Sequence, residues 1–405
     1  MRAGTDTRTE SLFDDTAPAS AGVEALAPTH AMRRLGEKLP RSVFLGTSSW
    51  NFPGWRGIVW APMSGTRTLS REGLTAYSRH PIFRTTGIDR AYYRSLSAAQ
   101  YRDFARQVPE DFRFLVKAPQ RVTDYAIRDD RGRAVGRNPD YLNRDLLIDT
   151  FVGPVLEGLG ERIGALVLEL SPIPRDDLSD MKKKYAQIER IAEFCRALPA
   201  GMLAHAGNPV GARGADGAQD DAQKSGEGPH SDGGLPGDGC RDRPFFAIEM
   251  RTRALLTRRY LNSIRSTPVR PVVSLHPSMP TVMRQTEMLR YLDAPEIESG
   301  PWRLKGDIVI RWSLAANGTY QGLRRDWQPF DAIREPDVVT REGIVWLLAL
   351  AQKSGVRAFA VANNKAEGCA PLTMRAIAES LTGYDVAREE ERERTIRASI
   401  TDLMG

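Results

Sequence analysis

The sequence predicts an α/β fold, a parallel eight-stranded (β/α)8 barrel of the TIM type, and three observations predict it. Eight short runs rich in β-branched and aromatic residues recur along the 405 residues. Most are nearly continuous apolar stretches, the pattern of strands covered on both faces. Helical patterns stand between them, and a strand–helix alternation repeated this often closes a barrel more readily than it leaves an open sheet.

In chain order the runs are Ser42–Thr47, Phe83–Ile88, Phe112–Ala118, Ala165–Leu170, Phe245–Met250, Val272–Leu275, Asp307–Trp312 and Ala358–Ala362. The second, with Arg84, Thr85 and Thr86, is the least apolar. Among the helices, Ser97 and Gln100 form a capping box ahead of Tyr101, Phe104, Ala105 and Val108, and Pro109 ends that helix. Met181, Tyr185, Ile188, Ala192, Cys195 and Leu198 form a second apolar stripe, which reads Cys195 as a core residue. Thr340 is read as a cap for Ile344–Lys353, with Gly355 just past its end, and Pro371 and Gly383 bracket the last barrel helix.

Two stretches lack such periodicity. Residues 1–40 are rich in Thr, Ala, Ser and charge and are expected to form a disordered tail. Residues 206–243, dominated by Gly, Asp and Ala, are expected to be a flexible insertion between helix 4 and strand 5, on the face away from barrel chemistry. His230 and Cys240 fall inside it and read more simply as solvated loop residues than as metal ligands. Residues 41–385 are therefore the barrel domain, and 386–405 a charged C-terminal helix or tail.

Composition narrows the function classes. Hydrophobic residues make 41% and charged residues 27%, ordinary for a chain with a packed core. The net charge of +6 is spread along the chain, with no concentrated basic stripe and no nucleic-acid reader motif. Nucleic-acid processing is thus a third reading, resting on the basic pI and on scattered arginines between Arg121 and Arg144. Cys195, Cys240 and Cys369 are odd in number and far apart, neither a disulfide framework nor a zinc pattern. The longest apolar run, Ile344–Ala351, is too short to span a bilayer. The acidic N-terminus (Asp6, Glu10, Asp14, Asp15) does not resemble a secretory signal, so no membrane partner and a cytoplasmic location are expected.

The residues with chemistry stand at strand ends. Asp89 follows the second strand, Lys117 closes the third, Glu169 the fourth, and Glu249 with Arg251 the fifth. His276 follows the sixth, Arg311 ends the seventh, and Asn363 and Asn364 follow the eighth. Charged groups are costly in such apolar runs unless paired, so their recurrence at one end predicts a convergent polar ring at the C-terminal mouth. The plain alternative is mutual neutralisation of Asp89, Glu169 and Glu249 by Lys117, Arg251 and Arg311. The functional reading makes Glu249 the acid/base with Lys117 assisting and Asp89 as a further catalytic residue, gives Arg251 and Arg311 to an anionic group, and counts Glu169, His276 and the orienting amides Asn363 and Asn364 as substrate-binding. Lys117 could also serve as a Schiff-base nucleophile, although an ion-pair role is simpler. Trp50 and Trp55, with Trp60, could stack on a planar or sugar ligand or pack the first long loop onto the rim. No two His or Cys stand at ligand spacing, so no metal site is read, and no cofactor is identified.

The segments GTSSWNFPGWRG (Gly46–Gly57), FRFLVKAPQRVT (Phe112–Thr123), IEMR (Ile248–Arg251) and NNKAEGCAP (Asn363–Pro371) together resemble the YecE-like family, domain of unknown function 72. The order and spacing match from about Val43 to Leu381, and the resemblance implies a TIM-type barrel and no particular activity. The chain departs from the family pattern at several positions. Gly87 stands where the family has an acid and Asp89 where it has an amide. Thr252 replaces one histidine, Ser313 stands where a second would follow the arginine–aromatic pair, and Lys365 replaces the acid of an Asn-Asn-Asp run. The resemblance therefore implies a divergent member. The leading expectation is an enzyme acting on a small polar or anionic metabolite at the mouth, and the alternative is a ligand-binding or scaffold barrel without catalysis.

Overall fold

The structure, a computed structural model, describes residues 22–61, 64–129, 133–204 and 243–404. Among the described residues there are ten strands: β1 Val43–Thr47, β2 Phe83–Ile88, β3 Arg113–Lys117, β4 Ala126–Arg128, β5 Ala134–Arg137, β6 Ile163–Leu170, β7 Phe245–Met250, β8 Val269–Leu275, β9 Ile308–Trp312 and β10 Ala358–Ala362. Eight of them close a parallel barrel in the order β1–β10–β9–β8–β7–β6–β3–β2, and β4 pairs with β5 as a separate antiparallel hairpin. All eight expected strands are there, with helices between them.

Side chains alternate across each strand, so every second residue enters the lumen. The lumen is filled by Phe44, Leu115, Ala165, Val167, Ala247, Val272, Val309, Phe359 and Val361, with the Phe44 and Phe359 rings stacked at 4.6 Å. The opposite parity, such as Leu166 and Leu168 on β6 and Ile308 and Ile310 on β9, packs outward into the shell shared with the helices. Each such side chain, fully removed from water, contributes about 1.5–3 kcal/mol. Closure at β1 needs Gly46. A Cβ there would lie 1.8 Å from the Thr85 carbonyl oxygen of β2.

The helix signals resolve unevenly. The Ser97–Gln100 capping box forms as expected at Ala98–Ala105. Gly355 and Gly383 end Val338–Ser354 and Ala370–Thr382 in the left-handed region, at φ 69° and 64°. Thr340 does not cap the first of these. Asp337 does, accepting from the Thr340 amide at 2.9 Å, which starts the helix well before Ile344. In Met181–Arg196 the buried face begins at Ile188 and includes Cys195, whereas Met181 and Tyr185 are exposed in a first turn crowded with Lys182, Lys183 and Lys184.

Three further differences have local causes. The expected tail contains a helix, His30–Lys38, capped by Thr29. Ala31 and Leu35, one turn apart, and then Leu39 are buried against the barrel, a stripe hidden among Arg33, Arg34 and Lys38. The Val386–Met404 helix docks on it through Glu390 to Thr29 (2.8 Å) and Glu393 to His30 (2.7 Å). The sixth barrel strand begins at Val269, since the polar Arg270 that masks its start is tied to Asp293 by two hydrogen bonds of 2.7 Å. The β4–β5 hairpin is mostly exposed and so carries no apolar alternation to announce it. The expected insertion at 206–243, with His230 and Cys240, lies almost wholly outside the described residues. Among the described residues no helix is long and apolar enough to cross a membrane.

Candidate functional site at the barrel mouth

The lumen parity that buries Val309, Val167 and Ala247 delivers Arg311, Glu169 and Glu249 two residues later, at the C-terminal end of the same strands. Glu169 and Glu249 are register partners across β6 and β7, and Ser274 and Arg311 across β8 and β9. Like charges facing each other in a sheet are unfavourable unless a cation stands between them. Arg311 supplies it. One guanidinium nitrogen donates to Glu169 Oε2 at 2.7 Å and to Glu249 Oε2, and the other reaches the Asp89 carboxylate at 3.3 and 3.4 Å.

Further cations complete the network. Lys117 Nζ lies 3.1 Å from Glu169 and 3.7 Å from the centroid of the Tyr92 ring. Arg251 Nε lies 3.2 Å from Glu249 and 3.6 Å from Glu169, while its terminal nitrogens reach Ser274 Oγ at 3.3 Å and Ser313 Oγ at 3.5 Å. The Ser274 hydroxyl donates to Glu249 at 2.6 Å. The network thus joins three carboxylates to three cations and balances in formal charge.

Burial alone would raise the Glu169 pKa, but Lys117, Arg311 and Arg251 outweigh it and hold this carboxyl well below its ordinary range. Burial likewise acts to lower the Arg311 pKa, and Glu249, Asp89 and Glu169 more than offset it and drive it up. Both groups are therefore charged at neutral pH.

Exposure divides the network. Glu249 is fully buried and Arg311 nearly so, whereas the Asp89 side chain is 35% exposed. Lys117, Glu169 and Arg251 lie between, each at the edge of solvent. Glu249, expected as the acid/base, is thus sealed behind Arg311, Arg251 and Ser274 and is placed to orient them. Arg311, expected as an anion ligand, has its donors turned to carboxylates of its own chain. Lys117 occupies the ion-pair role.

The remaining expected residues separate. His276 is half-buried and hydrogen-bonded to Ser278 at 2.8 Å, and burial, then Arg251, pull its imidazole below the ordinary value. Asn363 accepts from the Lys365 amide and ammonium at 3.1 and 3.3 Å. Asn364 is buried and structural, its Oδ1 accepting from Trp55 Nε1 at 3.1 Å and from the Ala370 amide at 2.9 Å. Trp50 and Trp55 are fully buried, as is Trp60, so the rim-packing role fits them and ligand stacking does not. Trp50 Nε1 donates to the Leu69 carbonyl and Trp60 Nε1 to that of Phe52.

The departures from the family pattern have structural counterparts. Gly87 lines the space above Leu115 and Val167, and a Cβ there would meet the Ser48 carbonyl oxygen at 2.6 Å. Asp89, two residues on and so on the same side of the strand line, supplies a carboxylate to Arg311. Thr252 is buried and accepts from the Ile173 amide at 3.0 Å. Ser274, Ser313 and Tyr92 belong to the site and were not foreseen. Ser274 and Ser313 lie at lumen parity with His276 and Arg311, the signal that identifies them. Among the described residues no group of three or more His, Cys, Asp or Glu is arranged to hold a metal ion.

Residues 44–395 match the family model described as "Protein of unknown function DUF72". A DUF72 family protein of Enterococcus faecalis is similar in structure at 12% identity, covering 84% of this chain and 96% of its own, with a TM-score of 0.42. A second, from Thermotoga maritima, is 14% identical, covering 84% of this chain and 98% of its own, with a TM-score of 0.39. No curated protein matches the sequence.

Proposed function

We propose a function from the premise that this chain belongs to the DUF72 family, proteins of unknown function: it is an enzyme acting on a small polar metabolite with an anionic group, bound at the C-terminal mouth of the barrel. One observation carries the reading. Polar side chains from β3, β6, β7, β8 and β9, with Asp89 after β2, converge on one spot above the apolar cluster that packs the lumen. Stability alone does not call for such a cluster, because a buried ionic network is often no better than apolar packing of the same volume.

Arg251 and Lys117, the cations at the edge of solvent, bind the anionic group. Asp89 is the proton-transfer residue, being the carboxylate most open to solvent. Glu249 and Arg311 are positioning residues that hold Arg251 and Asp89 in place. Thermal stabilisation against phosphorylated metabolites, sugars, carboxylates and divalent metals tests this. A ligand at 100 times its dissociation constant adds about 2.7 kcal/mol. A shift that Arg251→Met abolishes supports the site, and a shift insensitive to Arg251→Met and Lys117→Met removes it.

The charge balance of the network favours a second reading, a barrel that binds the same ligand without turning it over. The two part on turnover: that barrel is stabilised by a ligand it leaves chemically unchanged, and its binding survives Asp89→Asn.

A further inference from the structure

We propose that Lys365 is a second reactive centre of this protein, an amine that condenses with a small aldehyde or ketone to form an imine. Lys365 lies outside the ionic network, in the single turn Asn364–Ala366 that follows β10 at the same end of the barrel. The residue is 3% exposed. Its Nζ stands 4.0 Å from the centroid of the Tyr320 ring and 5.4 Å from that of Phe330, and 3.3 Å from Asn363 Oδ1.

Every one of these partners is neutral. A buried lysine is normally compensated by a carboxylate, as Lys117 is by Glu169 at 3.1 Å. Lys365 has two ring faces and one amide oxygen, and the charged side chain that acts on it, Arg324, repels it. Ring faces recover only part of what an ammonium loses on leaving water. The environment thus favours the uncharged amine, the nucleophilic form. Burial, then Arg324, bring the pKa from 10.5 to about 8. At pH 7 roughly a tenth of such a group is free amine, against well under a thousandth for an ordinary lysine.

The setting also suits the carbonyl chemistry. Tyr320, one of the rings over Nζ, is itself 53% exposed, so the amine lies one aromatic ring below solvent. Asn363 Oδ1 accepts one N–H and orients the nitrogen lone pair. That lone pair adds to the carbonyl carbon as the C=O π electrons move to oxygen, giving a carbinolamine. The two amine hydrogens leave with that oxygen as water, relayed through solvent, and the C=N bond forms. No oxidant, reductant or cofactor enters the balance.

The test is reductive trapping on the whole chain at pH 7, with glyoxylate as the carbonyl probe and cyanoborohydride as hydride donor, followed by peptide mapping. Lys365 is expected to label at least about tenfold faster than the surface residues Lys182, Lys183 and Lys184, given its larger free-amine fraction. Its advantage over Lys182, Lys183 and Lys184 in the same mixture should be largest near neutral pH and fall away as pH rises from about 8 to 10.5, where the ordinary lysines also become free amines. Labelling confined to surface lysines, or equal rates throughout, overturns the proposal. So does an advantage over those lysines that is undiminished at about pH 10.5. Lys365→Arg keeps the cation and cannot form an imine, so the selective adduct should vanish while the other lysines label as before. Should that variant not fold, the peptide map of the wild-type chain decides alone.

Discussion

Arg311→Met is the perturbation that most directly tests the mouth network. The substitution keeps an apolar stem and removes the cation that Glu249, Glu169 and Asp89 share. Three carboxylates then face the two remaining cations, Lys117 and Arg251, and Glu249 is too buried to recruit water. Breaking a buried pair from one side costs about 3–5 kcal/mol. With the roughly 340 described residues and about 2.1 cal/mol/K of unfolding entropy for each, that loss lowers the melting temperature by about 4–7 °C. Urea unfolding followed by circular dichroism, with differential scanning fluorimetry, reads both. The double variant Arg311→Met/Glu249→Gln restores two carboxylates against two cations, so its cost should fall well below the sum of the single costs. Acid narrows the gap as well. Glu169 is held below its unfolded value, so it contributes stability above about pH 4.3 that is lost as pH falls toward its folded value. Arg311→Met has less of that contribution to lose, and its deficit should shrink between about pH 5 and 3. A single variant within about 1 kcal/mol of wild type, or strictly additive costs, would refute the reasoning.

Gly46→Ala forces a Cβ to 1.8 Å from the Thr85 carbonyl oxygen, so it should cost more than about 4 kcal/mol or abolish soluble expression, read by yield and chemical denaturation. Trp55→Phe removes the hydrogen bond to Asn364 that ties the first long loop to the segment after β10; a loss of about 1–2 kcal/mol in urea titration is expected. Lys365→Met should stabilise the protein at pH 7 by about 1–2 kcal/mol, because the wild-type chain bears a buried charge there. The lowered lysine pKa means the unfolded state binds more protons between about pH 8 and 10.5, so wild-type stability rises across that window and the advantage of the variant should disappear by its top. A variant advantage that grows with pH contradicts that sign.

The barrel was legible because its strands are covered on both faces. An apolar run such as Ile163–Leu170 declares a parallel strand whatever its neighbours do. Elements whose stability comes from one or two distant contacts were not legible. The His30–Lys38 helix and its C-cap Leu39 together bury three side chains within a basic segment, and the β4–β5 hairpin buries almost nothing. At the mouth, strand-end position identified Asp89, Lys117, Glu169, Glu249, Arg251 and Arg311, and the structure joins all six. Position did not tell which of them face solvent. Glu249 and Asp89 look alike as acids at strand ends, yet one is sealed and the other open, a matter of the depth at which each side chain leaves its strand. Trp50 and Trp55 carried the same ambiguity between ligand and core, and only packing resolves it.

Lys117 and Lys365 are the same residue type at the same end of one barrel, and what surrounds them sets their chemistry apart. Lys117 meets a carboxylate that stabilises its charge, and Glu169 is in turn fixed as an anion by Lys117, Arg311 and Arg251. Glu169 and Arg311 are thereby held in their charged forms. Among the described residues Lys365 has no such partner and meets aromatic faces, an amide oxygen and the field of Arg324. The Lys365→Asp substitution separates the two environments. A carboxylate at 365, set back by its shorter side chain, would still lie in the field of Arg324 and beside rings that attract an ammonium and repel an anion. If the ring faces dominate, Lys365→Asp should be destabilised by about 1–2 kcal/mol relative to Lys365→Met. If Arg324 dominates, Lys365→Asp should match or exceed Lys365→Met and lose that parity on acidification below about pH 4.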